Sequence, residues 1–221
     1  MLLSSRENLL SVVEGLKTPS EVVAPPFRVS DYALFPKGMF KNHFFLFEAK
    51  GISLANATNL ISWMKEWDYP FQFLGPDEHL QSLKKDFPES TFFGDRCSGE
   101  HAPVMASSKA FVTFNQEDFP ALALGTLATG RPVVLASTLE KWVSGTGISF
   151  VKNFDKKELK AVLENVIRNE STLESQKLRA HVMEYHDIKF RAQMKRTLDK
   201  FYHEIHKQEA SHPSDCSECK S

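Results

Sequence analysis

The 221-residue sequence predicts an α/β fold, a doubly wound parallel sheet of about six strands with further helices at the C-terminal end. Three observations predict it. Short apolar runs of the kind buried on both faces alternate with segments of helical period. Gly, Pro or polar turns separate them. The alternation continues from residue 43 to about residue 170. Such an order argues for a parallel sheet covered on both faces, Rossmann-like in its winding.

The elements follow in order. Residues 1 to about 17 carry Leu9, Leu10, Val13 and Leu16 at helical spacing, with Ser4 or Ser5 as cap and Glu7 in the first turn. "EVVAPP" (21–26) reads as a short strand halted by Pro25 and Pro26, and residues 27–42 as a linker. "HFFLFEA" (43–49) is a fully buried strand, and residues 53–67 a helix with Ala57, Ile61 and Met64 on one side. "YPFQFLG" is the second strand, 77–86 a helix, "STFFG" the third strand and 100–107 a short helix. "KAFVTF" is the fourth strand, 119–129 a helix, "RPVVLAS" the fifth strand and "GISFV" the sixth. Residues 155–169 form a helix whose Leu159, Val162, Leu163, Val166 and Ile167 make an apolar stripe. Two more helices follow, the last with a seam of Leu198, Phe201, Tyr202 and Ile205. The expected organisation is an N-terminal helix, strand and linker (1–42), the α/β domain (43–170), C-terminal helices (171–208) and a polar, loose tail (209–221).

Composition excludes several classes. Net charge is −1, hydrophobic residues make up 42% and charged residues 25%. Nothing points to a nucleic-acid or anionic-membrane partner, so a phosphate-bearing ligand must be held by local groups. No run reaches the roughly 18 apolar residues of a membrane span. The first residues lack the pattern of a secretory signal, and three cysteines are too few for a disulfide framework, so a cytoplasmic location is expected.

Doubly wound sheets bind ligands beyond the carboxyl ends of their strands. The stretch that ends the fourth strand there is "EDFPALALGTLATGRPVV" (117–134): an acidic pair, a Pro-led helix start, then a Gly and a Pro-led strand. A helix start of this kind offers unpaired amides and a partial positive charge to an anion. Pro120 is tolerated there because an N1 proline lacks a donor that has no helical partner anyway.

The ordered series "FFLFEAKG", "FQFLGPDEHL", "STFFGDRC", "KAFVTFNQEDFPALALGTLATGRPVV" and "GISFVKNFDKKELKAVLENVIRN" resembles the C-terminal, nucleotide-sugar-binding half of GT-B glycosyltransferases of the family-4, group 1 type. The match runs through residues 43–170. It extends weakly upstream, where "SSRENLLSVVEGLKTPSEVVAPPF" looks like the end of an N-terminal half that is mostly absent. The resemblance implies that Glu117, with Asp118 beside it, faces the sugar hydroxyls, and that the amides at Phe119, Ala121 and Leu122 face the diphosphate. It implies a donor such as a UDP- or GDP-sugar, no cofactor and no metal. It suggests that the leaving diphosphate itself assists, so no general base is assigned.

The departures from the pattern are as informative. The second glutamate of the family's E-x7-E element, which clamps the ribose, falls on Gly125. Its loss forgoes about 1.5–3 kcal/mol of charged hydrogen bonding. In "FEAKGISLANAT" Glu48 and Ala49 stand in the place of a Gly-Arg pair, and Lys50 is a substitute out of register. Asp95 and Arg96, in the loop after "FFG", are candidates for a phosphate or base contact. Two readings follow: a glycosyltransferase that needs a second lobe or a protein partner to supply its acceptor side, or a degenerate binding or stabilising subunit of such an enzyme. A different doubly wound enzyme is disfavoured by the lack of G-x-G-x-x-G and P-loop signatures.

Other constellations read as structure. Cys216 and Cys219 form a lone C-x-x-C in the polar tail, and Cys97 with His101 lacks an orienting acid. Trp63 and Trp67, one turn apart, read as core or a domain contact.

Overall fold

The computed structural model describes residues 23–35, 39–40, 43–88, 90–94, 98–116 and 119–211. Phe27–Glu184 form one compact unit, and the described residues 23–26 and 185–211 belong to a second.

The larger unit is built on six parallel strands: β1 (Phe44–Glu48), β2 (Phe71–Leu74), β3 (Thr91–Phe93), β4 (Ser108–Thr113), β5 (Val133–Ala136) and β6 (Ile148–Val151). Their order across the sheet is β3-β2-β1-β4-β5-β6, every neighbouring pair parallel. The helices are α1 (Leu54–Glu66), α2 (Asp77–Asp86), α3 (Ala102–Ser107), α4 (Ala121–Ala128), α5 (Lys156–Asn169) and α6 (Ser175–Val182). A 3-10 turn, Ser98–His101, leads into α3, so the short helix expected at 100–107 begins as a tighter coil. The doubly wound sheet read from the sequence is therefore the fold.

The apolar runs form strands because both of their faces are covered. Phe45, Phe47, Phe73, Ala110 and Val112 pack under Ala57, Leu60, Ile61 and Met64 of α1 and Leu159 and Leu163 of α5. Leu46, Leu74, Phe111, Val133 and Leu135 are equally inaccessible. Trp63 joins the edge of this core and packs on Phe154, ring centroids 5.1 Å apart.

Caps fix where the helices start. Ser53 Oγ accepts from the Asn56 amide at 3.2 Å to open α1. Asp155 accepts from Lys157 and Glu158 at 3.0 and 2.9 Å to open α5. The Glu158 carboxylate reaches back to the Lys152 amide at 2.7 Å, locking the turn that leaves β6.

Two expectations about the N-terminal segment need correction. Residues 23–26 form no strand, since Pro25 and Pro26 have no amides to give a ladder. The expected helix over residues 1–17 and residues 212–221 of the expected tail, with Cys216 and Cys219, lie outside the described residues, while residues 209–211 of that tail continue the last helix. Residues 27–35, read as linker, are packed against the sheet unit: Phe27, Val29 and Tyr32 are buried around the 3-10 turn Val29–Asp31. They show no period because the burial is irregular, so the sequence pattern did not reveal it.

Arg179 of α6 pins this segment. Its Nη1 donates to the carbonyls of Tyr32 at 2.7 Å and Ala128 at 2.6 Å, and its Nη2 to Val29 at 3.2 Å. Burial lowers its guanidinium below the ordinary arginine value, but three carbonyls hold the charge. Among the glycines, Gly147 has φ +76°, and a β-carbon there would stand 2.1 Å from Leu178 Cδ2, so α6 seats directly on the turn before β6. The described residues of the second unit include α7 (Asp187–Ser211), a single long helix.

Arg179→Met removes three charged donors and leaves three carbonyls to find water. The expected loss is about 2–4 kcal/mol of unfolding free energy, read from chemical denaturation.

Candidate functional site

Strand order reverses its direction of growth between β1 and β4. Connections from these two strands leave on opposite faces, so their carboxyl ends frame a crevice. A cavity of about 180 Å³ lies there. Glu48 and Lys50 from the end of β1, Thr113 and Asn115 from the end of β4, residues 119–123 at the start of α4, and Leu139 line it.

The two strand ends are in close contact. Thr113 Oγ1 donates to the Glu48 carboxylate and accepts from the Asn115 amide, the latter at 3.1 Å. Glu48 is 8% exposed, so a carboxylate is held in the wall of the crevice. Gly51 has φ +83°, and a β-carbon on it would stand 2.7 Å from Asn115 Cα. Only glycine lets the two loops approach this closely without strain.

The tip of α4 is organised by Pro120, at φ −79° and ψ 59°, the centre of an inverse γ-turn. That turn consumes one expected donor: the Ala121 amide gives its hydrogen to the Phe119 carbonyl at 2.8 Å. The first helical bond runs from the Leu124 amide to the Pro120 carbonyl at 2.9 Å. Among the described residues no side chain caps this end, and none accepts from the Leu122 and Ala123 amides. The donors without an acceptor among the described residues are thus Leu122 and Ala123, where the expectation named Phe119, Ala121 and Leu122. Phe119 turns its ring edge-on to Trp142, centroids 5.4 Å apart.

Of the other sequence candidates, Lys50 lines the cavity and Gly125 lies one turn along α4. Glu117, Asp118, Asp95, Arg96 and Cys97 lie outside the described residues, as a result of which their places in the site are carried by sequence alone. Gly125 is not an empty position. A β-carbon there would stand 2.6 Å from Cε1 of Tyr32, whose ring fills the space a larger residue would claim. Sequence reasoning placed Asn115 in a crevice loop but missed Thr113 and Leu139 in the cavity wall and Tyr32 against Gly125. Thr113 and Asn115, at the carboxyl end of an otherwise apolar strand, were a usable signal; Tyr32, over ninety residues upstream of Gly125, gave none.

Among the described residues no three His, Cys, Asp or Glu side chains gather to hold a metal, and no helix is long and apolar enough to cross a membrane.

The structure is similar to solved glycosyltransferases. It matches sucrose-phosphate synthase from Thermosynechococcus elongatus with a TM-score of 0.69 at 14% identity, over 90% of this chain and 57% of that one. It matches Anabaena HepE, solved in complex with UDP and glucose, with a TM-score of 0.62 at 16% identity, over 81% of this chain and 56% of that one. The lipopolysaccharide outer core galactosyltransferase WaaB matches with a TM-score of 0.65 at 14% identity, over 89% and 60% of the two chains. No family model and no curated protein sequence matches. The chain therefore has the fold of the C-terminal half of GT-B glycosyltransferases, and it spans somewhat over half the length of these structures.

Gly125→Ala forces a methyl group into the Tyr32 ring. A destabilisation of about 1–3 kcal/mol is expected from this overpacking, measured as a lowered denaturation midpoint at unchanged slope.

Proposed function

We propose that this chain is the donor-binding portion of a glycosyltransferase, with the diphosphate of a nucleotide sugar at the tip of α4. The observation that carries the reading is the cavity at the β1/β4 reversal, into whose wall the first turn of α4 brings amides without an acceptor among the described residues. An anion there gains two hydrogen bonds and the positive end of the helix dipole. Lys50 adds a full positive charge from the β1 loop. In this reading Glu117 holds the sugar hydroxyls and Asp95 and Arg96 serve the nucleoside. No metal ion is required, because amides and Lys50 supply the positive charge. The acceptor is brought by a second lobe, on a partner chain or a further segment. HepE, whose structure holds UDP and glucose, supports a UDP-sugar as the first donor to try.

A second reading is favoured by a specific observation. A carboxylate at Glu48 faces the same crevice, and the Gly125 position carries an aromatic ring in place of an acceptor. Both features suit a degenerate module that binds and stabilises a partner glycosyltransferase.

Calorimetric titration with UDP, GDP and UDP-glucose separates the two. Saturable binding of one of them, with UDP-glucose affinity lowered in Glu117→Ala, supports donor binding; silence toward all of them favours the stabilising subunit.

Charge gives the sign of two further changes. Glu48→Gln removes a repulsion of about 1–3 kcal/mol from a nearby phosphate and is expected to tighten UDP about tenfold. Lys50→Ala is expected to weaken it by a similar factor, about tenfold, and less so at high salt. Unchanged UDP affinity in both variants would place the phosphate elsewhere.

A further inference from the structure

We infer that the chain carries a second anion site at the opposite, amino end of the sheet. There Arg131 and Lys109 receive the carboxylate or phosphate of a small organic molecule whose apolar body lies against Leu34, Phe35 and Leu173. This site is separate from the crevice at the α4 tip and does not depend on the nucleotide-sugar reading.

Arg131 stands just before β5 and is 4% exposed. Its Nε donates to the Ala106 carbonyl at 2.6 Å, but its buried Nη2 has no hydrogen-bond partner among the described residues. Burial lowers the guanidinium below the ordinary arginine value and the nearby Glu170 carboxylate raises it. An arginine keeps its charge in a protein, so Nη2 is a charged donor in want of an acceptor. Arg131 lines a recess of about 10 Å³ together with Lys109, Glu170, Leu173 and Ser175. That is room for about one oxygen atom. Two positive charges face one negative charge around it.

The recess adjoins a much larger cavity, of about 590 Å³, and Leu173 and Ser175 line both. Cavities of about 300 to 1,000 Å³ enclose small organic ligands. Leu34 and Phe35 give this one an apolar wall, and Ser171, Thr172 and Gln176 give it polar groups. Gly130 keeps the junction narrow but open: a β-carbon there would stand 2.5 Å from Ser175 Cβ and 3.1 Å from Leu34 Cδ1. The start of α6 adds donors. Lys177 and Leu178 both give their amides to the Glu174 carbonyl, at 3.0 and 3.2 Å. The Ser175 and Gln176 amides have no acceptor among the described residues, and no side chain there caps this end. A buried guanidinium, a lysine and a helix start thus converge on one anion, with an apolar cleft beside them.

The test titrates phenyl phosphate, benzoate and inorganic phosphate against the full chain by calorimetry, with a thermal melt of each variant to confirm folding. Phenyl phosphate or benzoate is expected to bind, and the tighter of the two tells a phosphate ligand from a carboxylate. Its affinity is expected to fall about tenfold in Lys109→Ala and in Arg131→Gln and to stay unchanged in Lys50→Ala. If Arg131→Gln does not fold, Lys109→Ala decides alone. Affinity that follows Lys50 instead, or is insensitive to all three, places the anion elsewhere and overturns the site. Silence toward all three probes overturns it too, and leaves Arg131 Nη2 with a buried water only. Inorganic phosphate, which has no apolar body, is expected to bind about tenfold more weakly than phenyl phosphate. Equal affinity overturns the part assigned to Leu34, Phe35 and Leu173.

Discussion

The crevice exists because two neighbouring parallel strands send their chains in opposite directions. After β1 the chain turns to α1 on one face; after β4 it turns to α4 on the other. No connection covers the carboxyl ends of both, so backbone and side chains at Glu48, Thr113 and the α4 tip converge on one opening. The approach is sustained by a single residue without a side chain, Gly51, whose positive φ and contact with Asn115 let the two loops meet. The rest of the architecture serves this reversal: phenylalanines on β1, β2 and β4 make the sheet rigid, and the helices on each face fix which way the loops point.

The electrostatics of the opening are mixed. Helix-end amides and Lys50 attract an anion, while the Glu48 carboxylate, hydrogen-bonded by Thr113, opposes one. A site that bound only phosphate would have no use for a buried acid; a site that also holds hydroxyl groups would, since a carboxylate is their strongest acceptor. The balance between the two is what decides if the glycosyltransferase architecture here still serves a nucleotide sugar or has passed to a supporting role. Fold alone does not choose between them.

Packing adds a second constraint from far away in the chain. Arg179 on α6 ties the carbonyls of Val29, Tyr32 and Ala128 together, and so sets a tyrosine from the N-terminal segment against the second turn of α4. The glycine at 125 is explained by that ring. Seen only as a motif position it is a lost glutamate; seen in its surroundings it is the residue that makes room.

Strand and helix order, the buried strands and the helix that opens after Pro120 were all legible in the sequence, because they follow from local period and from the donors and acceptors each residue carries. Lys50, Gly125 and Glu48 were singled out through the resemblance to the glycosyltransferase pattern: Gly125 in the place of its second glutamate, Glu48 in the place of a Gly-Arg pair, and Lys50 as a substitute out of register. The tertiary structure alone decided the rest. An irregular segment such as 27–35 buries Phe27, Val29 and Tyr32 without any period, so nothing in its pattern announces a partner. Which amides at the α4 tip stay available depends on the angle at Pro120, where an inverse γ-turn spends Ala121 and leaves Leu122 and Ala123 without an acceptor among the described residues. A residue's identity is given by its position along the chain; contacts such as Thr113 with Glu48, 65 residues apart, depend on how the layers close, and those contacts shape the opening.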